Sequence, residues 1–65
     1  MSIHELAQHY LAQGQTVRAA GLMIELVERE PTPQNLELLA DVYMQQGLFD
    51  HAKELYLRVV KAGLK

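Results

Sequence analysis

The chain has 65 residues, of which 49% are apolar, with no cysteine and a net charge of −2. This length holds one small domain, residues 1–65, and the lack of cysteine excludes disulfides and thiolate metal sites. No apolar run approaches the roughly 18 residues of a membrane-spanning helix, and the N-terminus lacks the pattern of a signal peptide. We therefore expect a cytoplasmic protein without membrane insertion.

The first predicted helix covers residues 3–13. Apolar side chains recur along it at three- and four-residue spacing, which forms one stripe of a helix. Ser2 and Glu5 have the spacing of a capping box, and Gly14 stands where a helix often ends with a left-handed backbone. The link that follows is short, so we expect the next helix to run antiparallel to the first.

The second predicted helix covers residues 17–29 and is apolar almost all round, which is typical of a helix buried on most sides. Its neighbours in the chain do not obviously account for Val17, Gly21 and Ile24. A close helix crossing would explain a glycine in mid-helix, although the glycine is also explained if it is simply tolerated. We expect self-association through these three residues together with apolar residues of the last helix, namely Leu57, Val60 and Leu64.

The third and fourth predicted helices cover residues 34–46 and 50–62. Proline residues separate the second helix from the third, and Thr32, which precedes one of them, fits an N-cap. Thr16 and Asp50 are expected to accept hydrogen bonds from free N–H groups where the second and fourth helices begin.

The second half of the chain repeats the first at an offset of 33 residues, over about residues 2–31 and 33–64. The aligned pairs are Ile3 with Leu36, Leu6 with Leu39, Ala7 with Ala40, Tyr10 with Tyr43, Gly14 with Gly47, Ala19 with Ala52, Met23 with Tyr56 and Leu26 with Val59. A two-helix unit repeated at this spacing predicts an all-α fold. Two antiparallel hairpins, four helices in all, would stack as a short solenoid, with the small alanines where the helices cross.

This pattern of Leu, Ala, Tyr, Gly and Ala resembles the tetratricopeptide repeat, a helix–turn–helix unit of similar length. The resemblance implies a protein–protein interaction module, and we interpret the chain as a small adaptor or assembly subunit. Because solenoid repeats bury their faces on neighbours, we expect it to self-associate, with a dimer favoured, and to bind a protein or peptide partner. The alternative is a purely structural protein that stacks head-to-tail, its basic C-terminal segment meeting the acidic body of the next copy.

The resemblance also places a concave groove on the first helix of each pair. The matching positions are His4, Gln8, Leu11, Glu37, Asp41, Met44 and Gln45. Some family members hold a terminal carboxylate there with basic residues, and the two carboxylates of this chain argue against that activity. They favour a basic, partly apolar ligand, whose apolar part would contact Leu11 and Met44. A solvated face without a ligand is the simpler alternative.

No arrangement of residues in the sequence predicts catalysis, a cofactor or a metal site. His4 and His9 do not share a helix face, His51 is distant, and zinc requires three or four ligands. The carboxylate pair of Glu37 and Asp41 has no deep apolar cleft to shift its pKa values for acid–base work. Glycine-rich phosphate loops are absent as well. We therefore expect a protein that is not an enzyme and that uses no cofactor.

The segment KELYLRVVKAGLK also resembles the end of a pentatricopeptide repeat, a helical hairpin that binds single-stranded RNA. The base-reading positions of that family would fall on Glu5 and Leu38, which are not the usual small polar residues. The negative net charge also argues against binding to phosphates. Nucleic acid is therefore the least favoured partner.

Overall fold

Four α-helices follow one another along the chain. The computed structural model describes residues 1–63, with helices α1 (Ile3–Ala12), α2 (Thr16–Arg29), α3 (Pro33–Gln45) and α4 (Phe49–Gly63). Each helix begins and ends within one residue of its predicted limits, and the all-α prediction is confirmed. None of these helices is long and apolar enough to cross a membrane. Leu64, which the sequence predicts for self-association, lies outside the described residues.

Local hydrogen bonds explain where α1 and α3 begin. The Glu5 backbone N–H donates to Ser2 Oγ at 3.1 Å, and the Ser2 N–H donates to the Glu5 carboxylate at 3.1 Å. The predicted capping box is therefore present, and its hydrogen bonds lower the pKa of Glu5. The Asn35 N–H donates to Thr32 Oγ1 at 3.2 Å, with Pro33 as the first helical residue, which confirms the predicted start of α3.

The starts of α2 and α4 differ from the prediction. The N-cap residue of α2 is Gln15, which makes no side-chain capping bond, so the prediction that Thr16 caps this helix was wrong. Thr16 is instead the first helical residue, directly after Gln15. Asp50 lies inside the first turn of α4, where its negative charge faces the positive end of the helix dipole.

The two links between paired helices have the same turn. Gly14 and Gly47 have φ angles of 76° and 77°, so both adopt the left-handed conformation that the sequence predicts. Each glycine N–H donates to the carbonyl three residues back, at 3.0 and 3.1 Å respectively. Each following N–H donates to the carbonyl five residues back, at 2.9 Å in both copies. This pair of bonds is the Schellman motif, which satisfies the last carbonyls of a helix.

Replacing Gly47 with alanine is expected to lower the free energy of unfolding by about 1–2 kcal/mol, because a side chain is strained at this φ. Gly21→Ala is the matched control, since an added Cβ in the middle of α2 meets nothing within 4 Å. It is expected to raise the free energy of unfolding by about 1 kcal/mol, as alanine favours a helix. Urea unfolding of both variants measures the difference, and a change of the same sign in both would contradict this explanation.

The core joins the two hairpins, with α3 packed against each of the other three helices. Its main cluster contains Ala7, Met23, Leu26, Val27, Leu36, Leu38, Leu39, Ala40, Ala52 and Leu55, and a smaller cluster contains Ala19, Ala20 and Val42. The four alanines predicted at the helix crossings, Ala7, Ala19, Ala40 and Ala52, are all fully buried. Tyr10 and Tyr43 pack against the edges of the smaller and the main cluster respectively.

The side chain of Asn35 connects the two hairpins, a role that its sequence position does not predict. This side chain is buried, and its amide Nδ2 donates to the Glu30 carbonyl at 2.9 Å. That carbonyl lies at the C-terminal end of α2, where a carbonyl has no partner within the helix. The Thr32 N–H also donates to this carbonyl, at 2.8 Å, so the two hydrogen bonds together fix the link between α2 and α3.

Candidate functional site

A shallow groove of about 200 Å³ lies between α1 and α3. We call it the acidic groove, and its lining residues are His4, Gln8, Gln34, Glu37, Leu38 and Asp41. Four of the residues that the sequence places in a groove, His4, Gln8, Glu37 and Asp41, are therefore brought together. Gln34 and Leu38 also line the groove and were not predicted, although both lie one helical turn or less from predicted groove residues.

Three other predicted groove residues lie elsewhere. Leu11 is half-buried and packs against both core clusters, so it contributes to the core. Met44 is exposed and faces α4. Gln45 is exposed and does not line the acidic groove. The apolar part of the groove is instead its floor, formed by Leu38.

The two layers of helices differ in charge. Helices α1 and α3 carry Glu5, Glu37 and Asp41 and contain no lysine or arginine. Within residues 1–63, the lysines and arginines all lie on α2 and α4: Arg18, Arg29, Lys53, Arg58 and Lys61. The carboxylates of the acidic groove therefore have no cation beside them on their own layer, which leaves a negative potential at its surface.

A hydrogen bond fixes Asp41 at one end of the acidic groove. The Tyr56 hydroxyl donates to the Asp41 carboxylate, with 2.5 Å between the two oxygens. This bond, helped by partial burial and by the negative charges of Asp41 and Glu37, raises the pKa of Tyr56 to about 12. The hydroxyl therefore keeps its proton at neutral pH and remains a donor to Asp41.

A second surface, which we call the C-terminal face, is formed by one side of α4 and the end of α3. Its lining residues are Met44, Phe49, Lys53, Tyr56, Leu57 and Val60. Two of the residues predicted for self-association, Leu57 and Val60, lie there. Val17, Gly21 and Ile24 are exposed on α2, and Ile24 lines a separate cleft between α2 and α4. The residues predicted for self-association thus lie on separate surfaces.

The acidic groove lies on the first helix of each hairpin, the side that the resemblance to tetratricopeptide repeats predicts. A family model described as "Tetratricopeptide repeat" matches residues 10–65. The chain belongs to the tetratricopeptide repeat family. Repeats of this family are generally modules for protein–protein interaction and are typically non-catalytic. Comparison with curated proteins and with solved structures gave no match.

The histidines of this tetratricopeptide repeat protein lie apart. His4 lines the acidic groove, whereas the ring of His51 lies against the ring of Tyr43, with 5.5 Å between their centroids. The His9 ring lies 6.3 Å from its neighbour Tyr10. In the part of the chain that the structure describes, no three histidine or carboxylate side chains are grouped as metal ligands.

Proposed function

We propose that this tetratricopeptide repeat protein is a small cytoplasmic adaptor that self-associates and binds a basic, partly apolar segment of another protein in the acidic groove. The charge distribution carries this proposal, because the groove has carboxylates and its two helices have no lysine or arginine. Lysine or arginine side chains of a ligand would be attracted to Glu37 and Asp41. Asp41 accepts one hydrogen bond from Tyr56, and its carboxylate can accept further hydrogen bonds from a ligand.

The other residues of the acidic groove suit an extended peptide. Gln8 and Gln34 each offer an amide that donates and accepts, which matches the alternating groups of a peptide backbone. A ligand whose cation pairs with Asp41 can place an apolar side chain on the floor of the groove, which Leu38 forms.

Fluorescence anisotropy with a labelled peptide of alternating lysines and leucines tests this proposal. Glu37→Gln and Asp41→Asn are each expected to weaken binding about 3–10-fold, and the asparagine oxygen can still accept from Tyr56. Glu25→Gln, which removes a carboxylate from the exposed side of α2, is the matched control and is expected to leave binding unchanged. Binding should also weaken as salt is added, because exposed charges are screened.

A second peptide, with glutamates in place of the lysines, provides the reverse control. Equal binding of both peptides would contradict a groove selective for basic ligands. An equal loss in Glu25→Gln and Glu37→Gln would show that net charge, and not the groove, attracts the peptide.

A second candidate function is purely structural, with self-association as the whole activity. The exposed apolar residues of the C-terminal face favour it, since they offer a contact surface that needs no other protein. The peptide experiment separates the two functions, because a purely structural protein would not bind the basic peptide more tightly than the acidic one.

A further inference from the structure

We propose that two copies of the chain pair through their C-terminal faces in a two-fold symmetric dimer. The proposal rests on the self-association included in the proposed function, and it adds the surface, the symmetry and the charged contacts of that association. Three observations support it: the burial of the equivalent positions in the first hairpin, the polarity of the opposite end of the molecule, and the charge pattern of α4.

The repeat shows what kind of contact the C-terminal face fits. Subtracting the offset of 33 carries Tyr56 onto Met23 and Val60 onto Val27. In the first hairpin these positions are packed against α3, with Met23 fully buried and Val27 9% exposed. In the second hairpin the face is open, and the exposed fractions are 62% for Phe49, 50% for Leu57 and 54% for Val60. At Tyr56 and Val60 the C-terminal face thus has the pattern of a helix-packing surface, whereas Leu57 aligns with Ile24, which is 41% exposed.

The opposite end of the molecule does not complement this face. Helix α3 packs on α2 with the apolar residues Leu38 and Val42, both buried. The aligned residues of α1 are Glu5 and His9, and both are exposed. Head-to-tail stacking would place these polar groups against α4 at positions where α3 has apolar side chains against α2, which is unfavourable without hydrogen-bond partners. A second C-terminal face is the better match, because Phe49, Leu57 and Val60 then meet apolar side chains of the other copy, although Lys53 also lies on this face.

The charges along α4 favour an antiparallel pairing of two copies. Asp50 lies in the first turn and Lys61 in the last turn, and both are exposed. They are eleven residues apart, about three helical turns, so they lie along the same side of the helix. When two α4 helices run antiparallel about a two-fold axis, Asp50 of each copy approaches Lys61 of the other. This complementary contact occurs twice in one symmetric interface.

Sedimentation equilibrium over a concentration series tests the proposal on the full 65-residue chain. The expected result is a discrete dimer that does not grow further. Leu57→Asp is expected to raise the Kd of this dimer at least about a hundredfold, because it buries carboxylates in an apolar contact. Val17→Asp is the matched control, since Val17 is 78% exposed on α2, and it is expected to leave the Kd unchanged.

Exchanging the charges of Asp50 and Lys61 gives a second test, which leaves the apolar residues of the C-terminal face unchanged. Asp50→Lys and Lys61→Asp are each expected to raise the Kd about tenfold, because each places like charges opposite one another. The combined variant is expected to return the Kd close to that of the unchanged protein. Additive weakening in the combined variant would overturn the antiparallel pairing.

The other possible results of sedimentation equilibrium distinguish a failure of this interface from a failure of the proposed function. A monomer at all concentrations would overturn both the interface and the self-association. Growth without limit would overturn the two-fold pairing in favour of head-to-tail stacking. A dimer that Val17→Asp disrupts and Leu57→Asp does not would place the contact on α2 and overturn only the interface. Peptide binding by Leu57→Asp reports on the acidic groove independently, and we expect it to be retained.

Discussion

Replacing Met23 with alanine is expected to lower the free energy of unfolding by about 2–5 kcal/mol. Met23 is fully buried in the main core cluster, where α2 packs against α3. Truncation leaves a cavity that the surrounding helices fill only in part. A domain of this length has a total stability of about 3–10 kcal/mol, so this single change is expected to remove a large part of it.

Met44→Ala is the matched control for Met23→Ala, because it removes the same atoms from a side chain that is 44% exposed. It is expected to change the free energy of unfolding by less than about 1 kcal/mol. Urea unfolding followed by circular dichroism, at a concentration where the protein is monomeric, measures both. Equal losses in the two variants would contradict the packing of α2 against α3.

Replacing Ala52 with leucine is expected to lower the free energy of unfolding by about 1–3 kcal/mol, because it overfills a closely packed contact. Ala52 is fully buried in the main core cluster, as is its counterpart Ala19 in the smaller one. The larger side chain would have to move α4 away from α3 or adopt a strained rotamer.

Ala62→Leu is the matched control for Ala52→Leu, because Ala62 lies on the same helix and is exposed. Substitution at such a surface position is expected to change stability by less than about 0.5 kcal/mol. Thermal unfolding of the two variants under one set of conditions measures the difference. An unchanged melting temperature for Ala52→Leu would show that the crossing has room for a larger side chain.

Features that depend on residues close together in the sequence could be predicted from it. The ends of the helices follow from apolar spacing and from local capping signals, which is why each was placed within one residue. The glycine turns at Gly14 and Gly47 follow from the left-handed conformation that glycine adopts readily. The repeat then predicts the buried alanines, because equivalent positions in stacked hairpins meet equivalent neighbours.

Features that depend on how helices cross could not be predicted in the same way. A helical wheel places Leu11, Leu38 and Met44 around their own axes, but it does not show which neighbour covers each side. In the structure, Leu11 packs against the core, Leu38 forms the floor of the acidic groove and Met44 faces α4. The hydrogen bond from Tyr56 to Asp41 was missed for the same reason, since it joins two helices.

The exposure of α2 has a related explanation. Its composition predicts burial on nearly all sides, yet within residues 1–63 it packs only against α1 and α3. Val17, Gly21 and Ile24 therefore remain exposed. Within residues 1–63 no close helix crossing occurs at Gly21, where an added Cβ would meet nothing within 4 Å. Composition reports how apolar a helix is, but the number of neighbours decides how much of it is covered.

Binding of a basic peptide to the acidic groove is tested most directly by mapping its contact surface with nuclear magnetic resonance. The ¹⁵N-labelled protein is titrated with the lysine–leucine peptide while its backbone and side-chain amide signals are followed. The predicted result is a set of shifts confined to α1 and α3 and strongest at Gln8, Gln34, Glu37 and Asp41, with α2 unaffected. Shifts confined to α2 or to the C-terminal face, or no shifts at all, would contradict the proposed function.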